Sequence, residues 1–265
     1  MCHNIKVDGK QDREVIEKRI ELKNDRTAYL KWNEAYKKVA LKKLFEDKKT
    51  MCSGYAYLIK KLSTLAGIES EIINGYGRTN ATNVNELELV NHAWNAVKLN
   101  DKWYLCDANW ASGYLDDQNI FVKDYNDGFF LTDPLLFAQS HYPLQKEWFL
   151  TDDLEEAEVL ASPLVYTETY KHNVLPVSPK KMHLTKPQNE EITFSFRSPE
   201  AIDLDKISLI YYLGVKEKPF KIYDLKHENG ITTFKYTFKR KKFYDVHLKI
   251  EDDIVATYTI DVIGE

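Results

Sequence analysis

The stretch "TMCSGYAYLIKKLSTLAGIESEIINGYG" (residues 50–77) decides the fold of this chain. Cys52 lies where a basic segment gives way to apolar residues at three- and four-residue intervals, namely Ala56, Ile59, Leu62, Leu65 and Ala66. This spacing predicts an amphipathic helix that begins near Cys52 and ends at Gly67. A strand over 70–77 is predicted to follow. Cys52 is therefore either a nucleophile at a helix start or a small buried hydrophobic residue.

The composition is that of an ordinary globular chain. The 265 residues are 43% hydrophobic and 29% charged, with a formal net charge of −4. This balance gives no reason to expect binding to a nucleic acid or an anionic membrane, and no apolar run approaches the roughly 18 residues of a membrane span. Three cysteines without a C-x-x-C pair argue against a disulfide framework and against structural zinc.

Two further strands are predicted downstream of the helix. They are "NHAWNAVKL" (91–99) and "WYLCDANW" (103–110), and the residues between them include Asn100 and Asp101. Both residue types tolerate a positive φ, so they are suited to the two central positions of a tight hairpin turn. The sequence thus predicts an antiparallel hairpin with Leu99 opposite Lys102.

The register of this hairpin determines which side chains meet. Because side chains alternate along a strand and opposite residues share a face, a two-residue turn places His92, Asp107 and Asn109 on one face. His92 and Asp107 are then diagonal neighbours within reach of an imidazole–carboxylate hydrogen bond. A three-residue turn would put them on opposite faces. Cys106 projects to the other face, where we expect it to belong to the core.

The chain changes character after about residue 150. Before that point the pattern is partly helical, and one or two helices are predicted within 11–48. The stretch "TDDLEEAEVLASP" (151–163) is an acidic, partly helical connector. Beyond it, short alternating strands are separated by turns such as Glu228-Asn229-Gly230, a pattern typical of an antiparallel β-sandwich. We therefore predict an α+β domain over 1–160, a linker over 161–180 and an all-β, immunoglobulin-like sandwich over 181–265.

Cys52, His92 and Asp107 have the residue types of a thiol triad. The positive end of a helix dipole and a neighbouring imidazolium both stabilise a thiolate. Cys52 would be the nucleophile, His92 the base and later the acid, and Asp107 the group that orients the ring. Gly54 would leave room for substrate, and the Cys52 N–H could donate to an oxyanion. Each residue has an ordinary structural explanation when taken alone.

The order and spacing of these residues resemble a known family. The segments 50–77 and 91–114 are similar to the transglutaminase-like superfamily, which has a papain-like fold, and within it to the kyphoscoliosis-peptidase-like branch, which includes bacterial proteins. The stretch "GFFLTDPLLFAQSHYPLQKEWFL" (128–150) is similar to the segment that follows the triad in that branch. The resemblance covers roughly residues 40–150.

The resemblance implies both an activity and a set of site residues. It assigns Cys52, His92 and Asp107 to the catalytic triad and places Trp94 and Trp110 beside the site, where plain hydrophobic packing explains them equally well. The implied enzyme attacks a peptide bond or a glutamine side-chain amide in a protein or peptide substrate. Water or an amine would resolve the resulting thioester, with hydrolysis favoured. This chemistry needs no metal ion and no organic cofactor.

Two departures from the family keep other interpretations open. Thr50 occupies the position two before the cysteine, where the family usually has glycine. The segment 2–9 resembles one that normally follows a first helix, so we expect a natural start further upstream, which could include an export signal.

The second oxyanion donor is unassigned, with Asn4 and Trp32 as candidates. The alternative function is a catalytically silent scaffold that binds a protein partner through its β-sandwich.

Overall fold

The computed structural model of the chain describes residues 6–80, 90–116, 118, 120–152, 154 and 156–264. These residues form two compact units. The first unit comprises most of the described chain up to Leu150. The second comprises Thr151 onward, together with Ala138–Ser140 and a segment that begins at Arg78.

The first unit combines helices with short and long strands. Its elements, in chain order, are β1 (Lys6–Val7), α1 (Gly9–Glu21), α2 (Arg26–Lys42), β2 (Lys49–Thr50), α3 (Cys52–Leu65), β3 (Ser70–Gly77), β4 (His92–Leu99), β5 (Lys102–Cys106), β6 (Gly113–Leu115), β7 (Phe121–Lys123), β8 (Phe130–Thr132), α4 (Pro134–Phe137) and β9 (His141–Pro143). Single helical turns lie at Lys43–Asp47, Trp110–Ser112, Asp127–Phe129 and Lys146–Phe149.

The predicted helices are confirmed. Both α1 and α2 begin at aspartate N-caps, since Asp8 accepts from the Gln11 N–H at 3.1 Å and Asp25 accepts from the Ala28 N–H at 2.8 Å. The helix that begins at Cys52, α3, ends at Leu65, two residues before Gly67, whose φ of 72° is the left-handed conformation that suits glycine after a helix.

A five-stranded antiparallel sheet forms the frame of the first unit, with strand order β8-β5-β4-β3-β9. The predicted β4–β5 hairpin is confirmed: Leu99 pairs with Lys102, and Asn100 and Asp101 both have a positive φ. The second strand is shorter than predicted. The ladder ends at Cys106, beyond which the chain turns at Asp107.

Glycine in β3 allows neighbouring groups to approach closely. A Cβ added at Gly75 would lie 2.1 Å from the Tyr142 carbonyl oxygen and 2.5 Å from the Trp94 ring. A Cβ at Gly77 would lie 2.9 Å from the Trp110 ring and 3.2 Å from His92. Because these glycines have no side chain, aromatic rings fill the space beside β3.

The second unit is a sandwich of two sheets. Its elements are α5 (Glu156–Ala161), β10 (Leu164–Val165), α6 (Thr167–Lys171), β11 (Leu175–Ser178), β12 (His183–Pro187), β13 (Glu191–Arg197), β14 (Ile207–Leu213), β15 (Lys216–Pro219), β16 (Tyr223–Glu228), β17 (Ile231–Thr237), β18 (Lys242–Ile250) and β19 (Asp253–Ile263). A further helical turn lies at Leu204–Lys206.

One sheet of the sandwich has the order β10-β19-β18-β14-β15, with β12 also pairing with β19, and the other has the order β11-β13-β17-β16. Alternate inward side chains of the two sheets form one apolar core that includes Phe194, Phe234 and Tyr258. Asn229 and Gly230 have positive φ angles in the β16–β17 turn, as predicted. The predicted fold class is therefore confirmed.

The stretch 161–180, which the sequence suggests as a linker, contains β10, α6 and β11. Both β10 and β11 pair with strands of the sandwich. The exact domain boundaries stay a prediction. Over the described ranges, no helix is both long enough and apolar enough to cross a bilayer.

The close contacts at Gly75 make it a sensitive position. We expect Gly75→Ala to lower the free energy of unfolding by about 1–3 kcal/mol, because a backbone carbonyl cannot move away as a flexible side chain can. Gly9→Ala is the matched control, since its new Cβ meets Leu115 at an ordinary 3.6 Å. Urea unfolding measures both variants, and equal stabilities would contradict the packing described for β3.

Candidate functional site

Backbone hydrogen bonds fix the chain immediately before Cys52. Strand β1 pairs in parallel with β2, and the Asp8 N–H donates to the Thr50 carbonyl at 2.8 Å. Met51 is the extended N-cap residue, and its carbonyl accepts from the Gly54 N–H at 2.9 Å. Cys52 is thus the first residue of α3, half-buried, at a terminus whose N–H groups have no intrahelical acceptor.

Thr50 and Gly54 fit together under this turn. Thr50 is fully buried, and a Cβ at Gly54 would lie only 1.8 Å from its Oγ1. The threonine therefore occupies the space that the glycine leaves, so Gly54 is needed here for packing against Thr50. Whether Gly54 also admits substrate stays a prediction.

His92 and Asp107 lie on one face and in contact, as the predicted hairpin register requires. His92 Nε2 lies 2.6 Å from Asp107 Oδ2, and both side chains are buried. Since Nε2 is directed at the carboxylate, Nδ1 is the ring nitrogen that remains for another partner. Of the three residues predicted to form a triad, the structure joins these two by a hydrogen bond, and the triad itself stays a prediction.

The other carboxylate oxygen organises the turn after β5. Asp107 Oδ1 accepts from the Asn109 N–H at 2.8 Å and from the Trp110 N–H at 3.1 Å. Asn109 thus contributes its backbone, and its side-chain nitrogen has no hydrogen-bond partner within the described part of the chain. Asp107 both caps the turn and holds His92, which combines the structural and the functional interpretation of this residue.

A second histidine joins the site, and the sequence reasoning missed it. His141 Nε2 lies 3.1 Å from the same Asp107 Oδ2. His141 stands opposite Gly77 in the β3–β9 pairing, and it is buried. His141 lies in the segment 128–150 that resembles the family. The alternation of side chains along one hairpin could not place it beside Asp107, which is 34 residues earlier in the chain.

Aromatic rings enclose the two histidines. Trp110 stacks on His92 at a centroid distance of 4.7 Å, and Trp94 lies 5.9 Å from His92. His141 stacks on Phe137 at 3.9 Å and meets the edge of Trp94 at 5.0 Å. Trp94 and Trp110 therefore pack beside the buried His92–Asp107 pair, and a role for them in the site stays a prediction.

The sequence also suggested Trp32 and Asn4 as oxyanion donors and Cys106 as a core residue. Trp32 stacks on Tyr36 in α2 at 4.7 Å, and Asn4 lies outside the described residues. The oxyanion role of either residue stays a prediction. Cys106 is buried in β5, as predicted for a core residue.

Comparison with known proteins agrees with this arrangement. A model of the transglutaminase-like superfamily matches residues 4–108. This part of the chain is similar to the transglutaminase-like superfamily.

The curated relatives support the branch that the sequence suggests. Mouse kyphoscoliosis peptidase is 31% identical over 164 residues, which cover 59% of this chain and 24% of the relative. The human protein of the same name is 32% identical over 144 residues, covering 52% of this chain and 21% of the relative, and fruit-fly hillarin is 30% identical over 110 residues, covering 36% and 13%. The chain thus spans a quarter or less of the length of these relatives.

Solved structures give low overall scores. The filamin domain of Lin-41 matches with a TM-score of 0.27 and 10% identity, covering 34% of this chain and 91% of that domain. Titin domain I81 matches with a TM-score of 0.22 and 17% identity, covering 34% and 96%. At these scores the likeness carries no argument, and the sandwich is defined by its own strands.

The transglutaminase-like domain holds unusual charge states at its site. Burial opposes a charge on the imidazole, but the Asp107 carboxylate and, less strongly, the Cys52 side chain raise the pKa of His92 to about 10. Burial alone would raise the pKa of Asp107, yet His92 and His141 hold it well below its usual range. Burial lowers the pKa of His141 to about 4 against the opposing effect of Asp107. At neutral pH the site thus contains a cation, an anion and a neutral ring.

His92, Asp107 and His141 are also the described residues whose donor atoms are near enough to hold a metal ion, within 4.8 Å of one another. The short separation of His92 from Asp107 is that of a charge-assisted hydrogen bond. Direct hydrogen bonding therefore accounts for the cluster.

The raised pKa of His92 predicts a stability change at alkaline pH. The unfolded chain releases this proton near pH 6.5, whereas the folded chain holds it to about pH 10, so stability present below 6.5 is lost as the pH rises through that window. His92→Gln keeps a donor for Asp107 but cannot titrate. Between pH 6.5 and 9, we expect the unfolding free energy of this variant to fall by about 1–3 kcal/mol less than that of the wild type. Urea titrations at both pH values measure the difference. Parallel pH dependences in the two proteins would contradict the cationic assignment.

Proposed function

We propose that the first domain is a thiol enzyme that cleaves peptide or glutamine amide bonds through Cys52, His92 and Asp107. The observation that carries the proposal is the buried His92–Asp107 pair, which keeps an imidazolium charged. The Cys52 side chain is among the groups that raise the pKa of His92. A cation beside a helix-terminal cysteine favours the thiolate, which is the nucleophilic form.

The proposed reaction passes through a thioester. The Cys52 sulfur attacks the carbonyl carbon of the amide, and the negative charge that develops on oxygen is stabilised by the Cys52 backbone N–H. His92 donates its proton to the amine nitrogen as the C–N bond breaks. The neutral ring then removes a proton from water, which attacks the thioester and releases the acid and the thiolate.

Hydrolysis is the outcome that we favour over transfer to an amine. The first steps are shared by both outcomes, so the triad alone does not distinguish them. The word peptidase in the names of the mouse and human relatives supports hydrolysis for this chain. The substrate under this proposal is a protein or peptide.

A catalytically silent domain is the second candidate. Thr50 in place of the usual glycine, packed firmly against Gly54, is the observation that favours it. In that case the β-sandwich would be the working part and would bind a protein partner. The two candidates differ in one measurable property, which is the reactivity of Cys52.

Alkylation by iodoacetamide across pH tests the proposal. We expect Cys52 to react readily at pH 6, and His92→Ala to slow this reaction by about tenfold or more, because the imidazolium no longer stabilises the thiolate. Peptide mass spectrometry would follow Cys52 with buried Cys106 as an internal reference.

His172→Ala is a matched control for the loss of a histidine. His172 also pairs with a carboxylate, Asp253, at 2.9 Å, but it belongs to the second unit. We expect this variant to leave the Cys52 rate unchanged. If Cys52 behaves as an ordinary thiol in the wild type and in His92→Ala, the enzyme proposal fails and the silent scaffold is favoured.

A further inference from the structure

The Oδ2 atom of Asp107 receives hydrogen bonds from two histidines, of which the proposed reaction uses only His92. The second, His141, lies 3.1 Å away and has a fully buried side chain. We propose that His141 is a positioning residue of the triad, which keeps the Asp107 carboxylate ionised and directed at His92. This inference rests on the proposed function only in the step from His92 to Cys52.

His141 is placed for this task by the sheet and by its aromatic neighbours. Strand β9 pairs with β3 so that His141 stands opposite Gly77. Its ring stacks on Phe137, with an interplanar angle of 22°, and lies 4.6 Å from the Trp110 ring. An enclosed ring of this kind cannot reach a substrate, so His141 acts through Asp107 and is not itself a catalytic residue.

The ring delivers a neutral N–H to the carboxylate. The titratable groups that act most strongly on His141 are Asp107 and His92, and its ring also forms a hydrogen bond with the Phe137 backbone. The pKa of His141, lowered to about 4 by burial, leaves it uncharged at neutral pH. A neutral imidazole carries one ring proton, and the charged carboxylate is the strongest acceptor near it. The proton therefore lies on Nε2, where it supports Asp107 without adding a second positive charge.

Loss of this N–H would change the proton affinity of Asp107 more than its position. Asp107 Oδ1 would still accept from the backbone N–H groups of Asn109 and Trp110. Oδ2 would have one donor fewer in a buried site, and a hydrogen bond that stabilises the ionised form would be gone. Asp107 would then take up a proton at a higher pH, and its neutral form would no longer support the imidazolium of His92.

Two substitutions separate the N–H from the ring. His141→Phe keeps an aromatic ring for Phe137 and Trp110 but has no donor, whereas His141→Gln has a donor at the Nε2 position and no ring. In the pH profile of Cys52 alkylation, we expect the acid limb of His141→Phe to move upward by about one pH unit. The limb of His141→Gln should stay near that of the wild type, and all three rates should converge at alkaline pH.

A purely structural role predicts a different pattern. In that case His141→Phe would keep the wild-type acid limb, or both variants would slow alkylation equally at every pH. Either result would overturn the proposal. If His141→Phe does not fold, His141→Met takes its place, because methionine matches glutamine in length and has no N–H donor.

A second measurement does not depend on the reactivity of Cys52. Carbon-13 NMR of the Asp107 carboxyl group, recorded in Cys52→Ala, follows its protonation directly. When His141 is present, we expect the Asp107 carboxyl group to remain ionised down to pH 3. In the His141→Phe variant, we expect it to titrate above pH 3. Identical titrations would overturn the role of His141. If Asp107 shifts as expected but Cys52 is an ordinary thiol, the enzyme proposal fails and the support of Asp107 by His141 stands.

Discussion

The site depends on one buried carboxylate and its need for hydrogen bonds. An isolated ionised carboxylate is very costly to bury, so Asp107 must be surrounded by donors. It accepts from two backbone N–H groups through Oδ1 and from two imidazoles through Oδ2. The turn at the end of β5 supplies the first pair, and strands β4 and β9 supply the second.

Other features of the first unit follow from this arrangement. The β3 strand separates β4 from β9, so His92 and His141 can meet only across it, at a centroid distance of 5.4 Å. Glycine at positions 75 and 77 leaves the required space, which Trp94 and Trp110 fill. These rings exclude water, and the low local polarity strengthens each charged hydrogen bond within the cluster. Packing and electrostatics are thus coupled at the same residues.

Much of this could be predicted from the sequence because the deciding signals are local. Two residues that tolerate positive φ, Asn100 and Asp101, determined the hairpin register and hence the approach of His92 to Asp107. The amphipathic spacing after Cys52 likewise predicted α3. His141 was missed because its position depends on β9 returning beside β3, a long-range pairing that no local pattern reports. The strands within 161–180 were missed for the same reason, since they are short and pair with distant strands of the sandwich.

The central claim is that Asp107 keeps His92 cationic beside a neutral His141. Nitrogen-15 NMR of the histidine rings at pH 8 tests it most directly, since it counts the protons on each ring. The account predicts two ring protons on His92, one on His141, and the loss of the second His92 proton in Asp107→Asn. A neutral His92 at pH 8 in the wild-type protein would contradict the account.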